Sequence, residues 1–327
     1  MTVGKPSERG AALLAVLLLV AFIAVLAAQG MERLSGATKL ASNGAALGQA
    51  RAYMVAAEAI ALRATRILVN ASPGRTTNES GWNGRETQYP VPGGIVTATI
   101  NDGGNCFNLN SVVVDRDGLF APNLKGQQQF AALLTLLSVP DGDAQALSAT
   151  LTDWIDSDSD AAAGGAEDLY YLQQEAPYRT AGSLLVDPSE LRAIKGMTPE
   201  IYAKLRPWVC ALPEATMSPI NINTLQPQQA LLFAMLAPAN IGVDAARQLF
   251  AQRPAAGFSS LPEFWARPVP AGMNAPTDVQ SQVKLTTRWF RLTSVAELSG
   301  ARIEESALID AAPDPAKLVY RSWGDAL

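Results

Sequence analysis

The chain predicts an α+β fold: one long N-terminal helix and an antiparallel sheet, with a large all-helical region between two stretches of strand. Three observations lead there. Residues 11–70 contain no proline and are rich in Ala, Leu and Arg. β-Branched alternation is confined to residues 95–100 and to residues 288–323. Residues 125–280, between them, read as helices and loops. Patterning alone gives the order helix, strand, helices, strands.

The first element is an uncharged, almost wholly apolar run of twenty-two residues, 10–31, flanked by Glu8-Arg9 and Glu32-Arg33. At ~1.5 Å per residue such a helix is roughly 33 Å long, enough to cross the hydrocarbon of a bilayer. Beyond it, Tyr53, Ala56, Ala57, Ile60 and Ala64 recur at three- and four-residue spacing, so the helix continues as an amphipathic one. Ser72-Pro73-Gly74 ends it, and a polar loop follows. Ile95-Val96-Thr97-Ala98-Thr99-Ile100 then alternates as a strand, and Asn101-Asp102-Gly103-Gly104 turns into Cys106-Phe107-Asn108-Leu109-Asn110. At the far end, residues 288–298, 301–310 and 317–323 are three extended runs. Ser299-Gly300 and the Pro-containing 311–315 join them, the pattern of an antiparallel meander.

The residues ahead of the apolar run decide whether it stays in the mature protein. Ala27-Ala28-Gln29 imitates a signal-peptidase site, and an uncleaved signal anchor is a second alternative. Lys5-Pro6-Ser7-Glu8-Arg9-Gly10, followed by Ala11-Ala12-Leu13-Leu14, resembles instead a type IV prepilin leader. The resemblance implies cleavage by a prepilin peptidase between Gly10 and Ala11, so that the apolar helix is kept and the mature chain begins at Ala11; it also implies methylation of the mature chain. Most pseudopilins carry Glu at the fifth mature position, where this chain has Ala15. A carboxylate in lipid persists only where a partner cation offsets its burial, and a subunit with no neighbour above it has no such partner. That departure, with the unusual length, is similar to the GspK family of type II secretion minor pseudopilins.

The family implies a pilin-like body interrupted by an insertion. Residues 1–10 would be the leader and 11–70 the N-terminal helix, membrane-spanning in its first half. Residues 71–124 and 283–327 would form the β domain, and 125–282 the inserted helical domain. It further implies a non-enzymatic tip subunit of a periplasmic pseudopilus, assembling with GspI- and GspJ-like partners and blocking further addition. The location implied is a single pass in a bacterial inner membrane with the C-terminal body in the periplasm.

Composition sets what chemistry is open. The formal charge is −5, and losing Lys5, Arg9 and Glu8 with the leader makes it −6, so nothing draws the chain globally to nucleic acid. No histidine is present, which excludes His-based triads, imidazole bases and His-ligated zinc. Cys106 and Cys210 lack redox or metal spacing. In an oxidising periplasm such a pair closes as a disulfide, the alternative being two buried free thiols.

The strongest chemical pattern is Asp153-Trp154-Ile155-Asp156-Ser157-Asp158-Ser159-Asp160, followed by Gly164-Gly165-Ala166-Glu167-Asp168. Counted from Asp156, acids fall at the first, third, fifth and twelfth positions, the oxygen-ligand spacing of a calcium loop. The sixth-position Gly is replaced by Ala161, so only the ligand logic matches. The alternative is a solvated acidic loop, in which these charges repel. The GspK resemblance adds calcium binding by the helical domain within residues 153–171. It carries a structural role for one or two Ca2+ ions onto Asp156, Asp158, Asp160, Glu167 and Asp168, with Asp153 as an outlying candidate.

Residues 220–264 resemble a helix-hairpin-helix (SAM-like) module, with Asn240-Ile241-Gly242 as its turn; a related hairpin precedes it around Lys195-Gly196-Met197. Many such modules grip DNA phosphates, which makes a DNA-uptake pilus component the competing reading. Between residues 206 and 282 four arginines meet four acids, so the basic footprint that phosphate binding requires is missing. Gly93-Gly94 and Gly164-Gly165 lack phosphate-loop spacing and read as hinges. Trp154, Trp208, Trp265, Trp289 and Trp323 read as core anchors.

Overall fold

The structure is a computed structural model describing residues 8–272, 275–298 and 300–324, with side chains from residue 12 onward. Most of the expected leader, residues 1–7, and Ser299 of the expected hairpin turn lie outside the described residues, as does the side chain of Ala11.

Helix α1 runs Glu8–Ala71 without a break, 64 residues. Its apolar first part projects away from the body with its side chains exposed, long and apolar enough to cross a membrane. Its second part lies on a sheet. There the contact stripe is Ala50, Met54, Ala57 and Ala61, at helical spacing, against Val96, Ala98, Leu292, Ala296 and Ala307. The stripe is rotated from the expected one: Ile60 and Ala56 face out, because alanines at the contact let helix and sheet backbones approach where Ile60 would hold them apart.

After α1 come β1 (Arg85–Val91) and β2 (Gly94–Asp102). The chain then leaves the sheet, returning as β9, β10 and β11 after a long series of short helices and strands. The intervening elements are β3 (Phe107–Asn108), β4 (Val113–Arg116), β5 (Leu119–Pro122), α2 (Leu124–Leu136), α3 (Asp141–Ile155), α4 (Asp168–Tyr171) and α5 (Pro199–Leu205). They continue with β6 (Val209–Cys210), β7 (Ile220–Asn221), α6 (Ala230–Ala234), α7 (Val243–Ala251), α8 (Leu261–Trp265), α9 (Pro268–Gly272), α10 (Thr277–Gln282) and β8 (Val283–Lys284). The closing strands are β9 (Trp289–Leu298), β10 (Ala301–Asp310) and β11 (Lys317–Trp323).

The five-stranded sheet has the order β1-β2-β9-β10-β11, all antiparallel. β2 and β9 are direct neighbours, Asp102 opposite Phe290, so the helical body is an insertion between adjacent strands. β1 occupies a stretch expected to be loop. It is an edge strand, exposed at most positions, so it has no buried face to write an alternation, and it tolerates Pro90 for the same reason.

The insertion also begins earlier than residue 125. Phe107, Leu109, Val112 and Val113 are buried in one core with Phe130, Leu133, Leu147 and Phe233, and β3 pairs with β6 rather than with the sheet. Proximity in sequence to β2 suggested the sheet, but these side chains fill the helical core. The tryptophans divide. Trp154 and Trp289 are buried, Trp208 and Trp265 flank the main core, and Trp323 is exposed at the sheet edge, flanked by Arg51 and Arg321.

Candidate metal centre

Helix α3 delivers two acids as it ends. Asp153 lies in its last turn and Asp156 caps it in extended backbone, φ −67° and ψ 173°. The loop then folds back under several restraints. Ser157 N–H donates to Phe120 O (3.0 Å) and Ser157 Oγ accepts from Phe120 N–H (2.8 Å), which fastens the loop to β5. Asp158 accepts from the N–H of Asp160 (2.9 Å), and the Asp153 carboxylate from that of Ala162 (3.1 and 3.3 Å). Lys195 Nζ donates to Gly165 O at 2.9 Å. Glu167 follows at the start of α4.

The result is one group in which carboxylate oxygens of Asp156, Asp158 and Glu167 lie within 4.8 Å of one another. Asp156 and Glu167 are buried and Asp158 is exposed, so the group has a mouth to solvent. Asp156 Oδ1 and Glu167 Oε1 are buried without a hydrogen-bond partner. Burial first, then the neighbouring acids Asp158, Asp153 and Glu167, push Asp156 up to about 7. Burial and Asp153 likewise push Glu167 up to about 7. Asp153 is raised by burial too, against the opposing pull of its hydrogen bonds. Buried, mutually repelling carboxylate oxygens with no donor are costly unless a cation takes them. A hard dication preferring several oxygens fits this donor set, and the set contains no soft ligand.

Of the six acids singled out in the sequence, the structure brings three together. Asp153 stands one turn back and braces the loop through Ala162. Asp160 is exposed, outside the group. Asp168 points elsewhere: its carboxylate accepts from Arg179 (2.6 Å) and from the Thr180 N–H (3.0 Å), and the Thr180 bond leads in holding it below the usual range. The spacing counted acids along the chain but not the cation eleven residues on. Gly165, which the sequence marks only as a hinge, also shapes this loop. A Cβ there would lie 2.0 Å from Asp153 Oδ2, so only glycine lets the loop close over that carboxylate.

Cys106 and Cys210 are joined, Cα–Cα 5.8 Å, and buried with Leu212, Trp289 and Leu308, so the bridge ties insertion to sheet. In the 220–264 module, α6 and α7 pack around Phe233 and Phe250. Its arginines are turned to their own chain: Arg247 to Asp244 (2.5 Å), Arg253 to the carbonyls of Ile222 and Leu225 (3.0 and 2.5 Å).

Comparison with known proteins agrees with this architecture. Two family profiles described as "Type II secretion system (T2SS), protein K" match residues 105–214 and 220–286. Type II secretion system protein K of Pectobacterium carotovorum subsp. carotovorum is 32% identical over 322 residues, 98% of each chain. The Klebsiella pneumoniae protein of that name is 33% identical over 97% of each. Among solved structures, a chain of the GspK-GspI-GspJ complex from the enterotoxigenic Escherichia coli type 2 secretion system superposes with a TM-score of 0.73 at 29% identity. The match covers 85% of this chain and 96% of that one. On the strength of both family matches and of relatives aligned nearly end to end, the chain belongs to the type II secretion system protein K family, the GspK minor pseudopilins.

Proposed function

We propose that this minor pseudopilin sits at the tip of the periplasmic pseudopilus and blocks addition of a further subunit above it. The observation that carries the reading is the insertion between β2 and β9, a body larger than the sheet that bears it. In a filament whose subunits stack through their long helices, such bulk leaves no room for another sheet on top. Ala15, in place of the glutamate that pairs with a neighbour's amine, supports the same position.

In this reading prepilin peptidase cuts between Gly10 and Ala11, the mature chain is methylated, and α1 anchors it by a single pass in the inner membrane. The exposed apolar side chains of α1 then pack against GspI- and GspJ-like partners by close van der Waals contact. The solved GspK relative is itself a member of a GspK-GspI-GspJ complex. Asp156, Asp158 and Glu167 hold one Ca2+, which supplies the positive charge that lets buried acids ionise together. Asp153, Gly165 and Lys195 keep the loop in place around it. The role in this reading is structural: the ion would hold the loop after α3 against α4. In the 220–264 module Arg253 is spent on its own chain's carbonyls and Arg247 on Asp244, which supports packing rather than DNA binding.

The test is to replace residues 103–288 by a short turn joining β2 to β9 and to assemble pseudopili with the shortened chain. Further subunits adding on top of it, while its GspI- and GspJ-like contacts persist, would support the proposal. Termination as in the intact chain would reject it.

A further inference from the structure

Strand β9 carries Arg291 on the sheet face turned away from α1. Its neighbours Phe290 and Leu292 pack with Ala61 of α1, while its cross-strand partners are Asn101 of β2 and Leu308 of β10. Leu308 lies in the small core around the disulfide with Cys210 and Leu212, so Arg291 stands where the insertion covers the sheet. Arg291 and Arg206 line one cavity there, of about 40 Å³, together with Asp187 and Tyr320.

Charge is not balanced in this cavity. Neither guanidinium has an ion pair or hydrogen bond among the described residues, unlike Arg288, three residues away, which meets Glu214 (2.6 Å) and Asp310 (2.9 Å). Asp187 is the sole acid on the cavity wall. Its carboxylate is already engaged, accepting from Ser189 N–H at 2.8 Å with the Tyr320 hydroxyl at 3.4 Å. Burial, with Arg206 second, pushes the Arg291 guanidinium down from its ordinary value, and the Asp187 charge opposes this only in part. Both side chains are half-buried, so two guanidinium groups that repel each other face one cavity with no acceptor from the chain on either.

We propose that Arg291 and Arg206 form a binding site for one small oxyanion of the phosphate or carboxylate class, clamped between sheet and insertion. The size of the cavity limits the ligand: a single water needs roughly 10–15 Å³, so about 40 Å³ takes one oxyanion group and excludes a nucleotide or a sugar. Planar guanidinium forks suit paired oxygens, and the Tyr320 hydroxyl adds a polar wall. On its other side Arg291 lines a wider, polar cavity of about 540 Å³ with Asn101 and Gln228. A bound anion would join β9 to the turn at residues 206–208, reinforcing the junction that the disulfide also crosses.

The experiment titrates inorganic phosphate, and separately acetate, into the full-length chain in detergent, dialysed free of calcium and chelator and held at constant ionic strength with chloride. Thermal midpoint and, for phosphate, 31P line width are followed. A saturating response is expected, with Arg291→Gln and Arg206→Gln each weakening apparent affinity roughly tenfold or more. Saturation by acetate alone identifies a carboxylate ligand, and saturation by phosphate identifies a phosphate-type one. A response that never saturates, or one equal in wild type and in either folded variant, overturns the proposal. Should Arg291→Gln fail to fold, Arg206→Gln decides alone.

Discussion

At Asp156 and Glu167 the folded chain holds protons to about pH 7, whereas unfolded carboxyls release theirs near pH 4. Between those values the native state binds more protons than the unfolded one. Without calcium, stability is therefore full below about pH 4 and falls as pH rises toward 7. At the proposed site calcium would take the ionised acids, so its contribution should grow over the same interval. Urea midpoints with calcium and with chelator should accordingly separate as pH rises from 4.5 to 7.5; parallel curves would contradict the proposed site. Asp156→Asn should abolish the calcium response and, in chelator, stabilise the chain at neutral pH by about 1–3 kcal/mol, since one mutually repelling charge is gone. Gly165→Ala should instead destabilise the chain, costing about 2 kcal/mol or more as its Cβ meets Asp153, while also weakening calcium binding as read by titration calorimetry. Only part of this acidic cluster was legible. Alternating acids mark the loop, yet the roles of Asp168 and Gly165 depend on which atoms the folded loop brings near, and no spacing encodes that.

Among elements, the attachment of α1 to the sheet rests on more than its alanine stripe. Glu58 of α1 and Glu305 of β10 are both buried and share Arg321 of β11, while Ser294 Oγ donates to Glu305 at 3.0 Å. Burial first, then Glu58, pushes Glu305 up to about 8, so that one proton and one guanidinium together balance two carboxylates near neutrality. Arg321→Met would leave those acids facing each other and should cost about 3–5 kcal/mol in equilibrium denaturation. The bridge between Cys106 and Cys210 closes a long loop, with a sequence separation of 104. Cys106→Ser should cost about 2–4 kcal/mol, measured under oxidising conditions. Residues 95–100 and the closing meander were legible because one face is buried and the period of two survives. β1 was not, because an exposed edge imposes no alternation. The Glu58–Arg321 pair was not either: its partners lie 263 residues apart and each looks like an ordinary surface charge until the sheet meets the helix.

For the whole molecule, the order helix, strand, helices, strands was visible, and the structure shows why it closes: β2 and β9 are neighbours despite the long excursion between them. The early start of the insertion was not visible, since Phe107 and Val113 continue the apolar character of the sheet while filling another core. The apolar helix makes its own prediction. Co-expressed with prepilin peptidase, the chain should begin at Ala11 by mass analysis of the intact protein, and Gly10→Val should leave it uncut. The tip position is tested most directly by electron microscopy of assembled pseudopili carrying a gold-labelled version of this chain. Capping predicts one label per filament, at one end only; labels distributed along the shaft would contradict it.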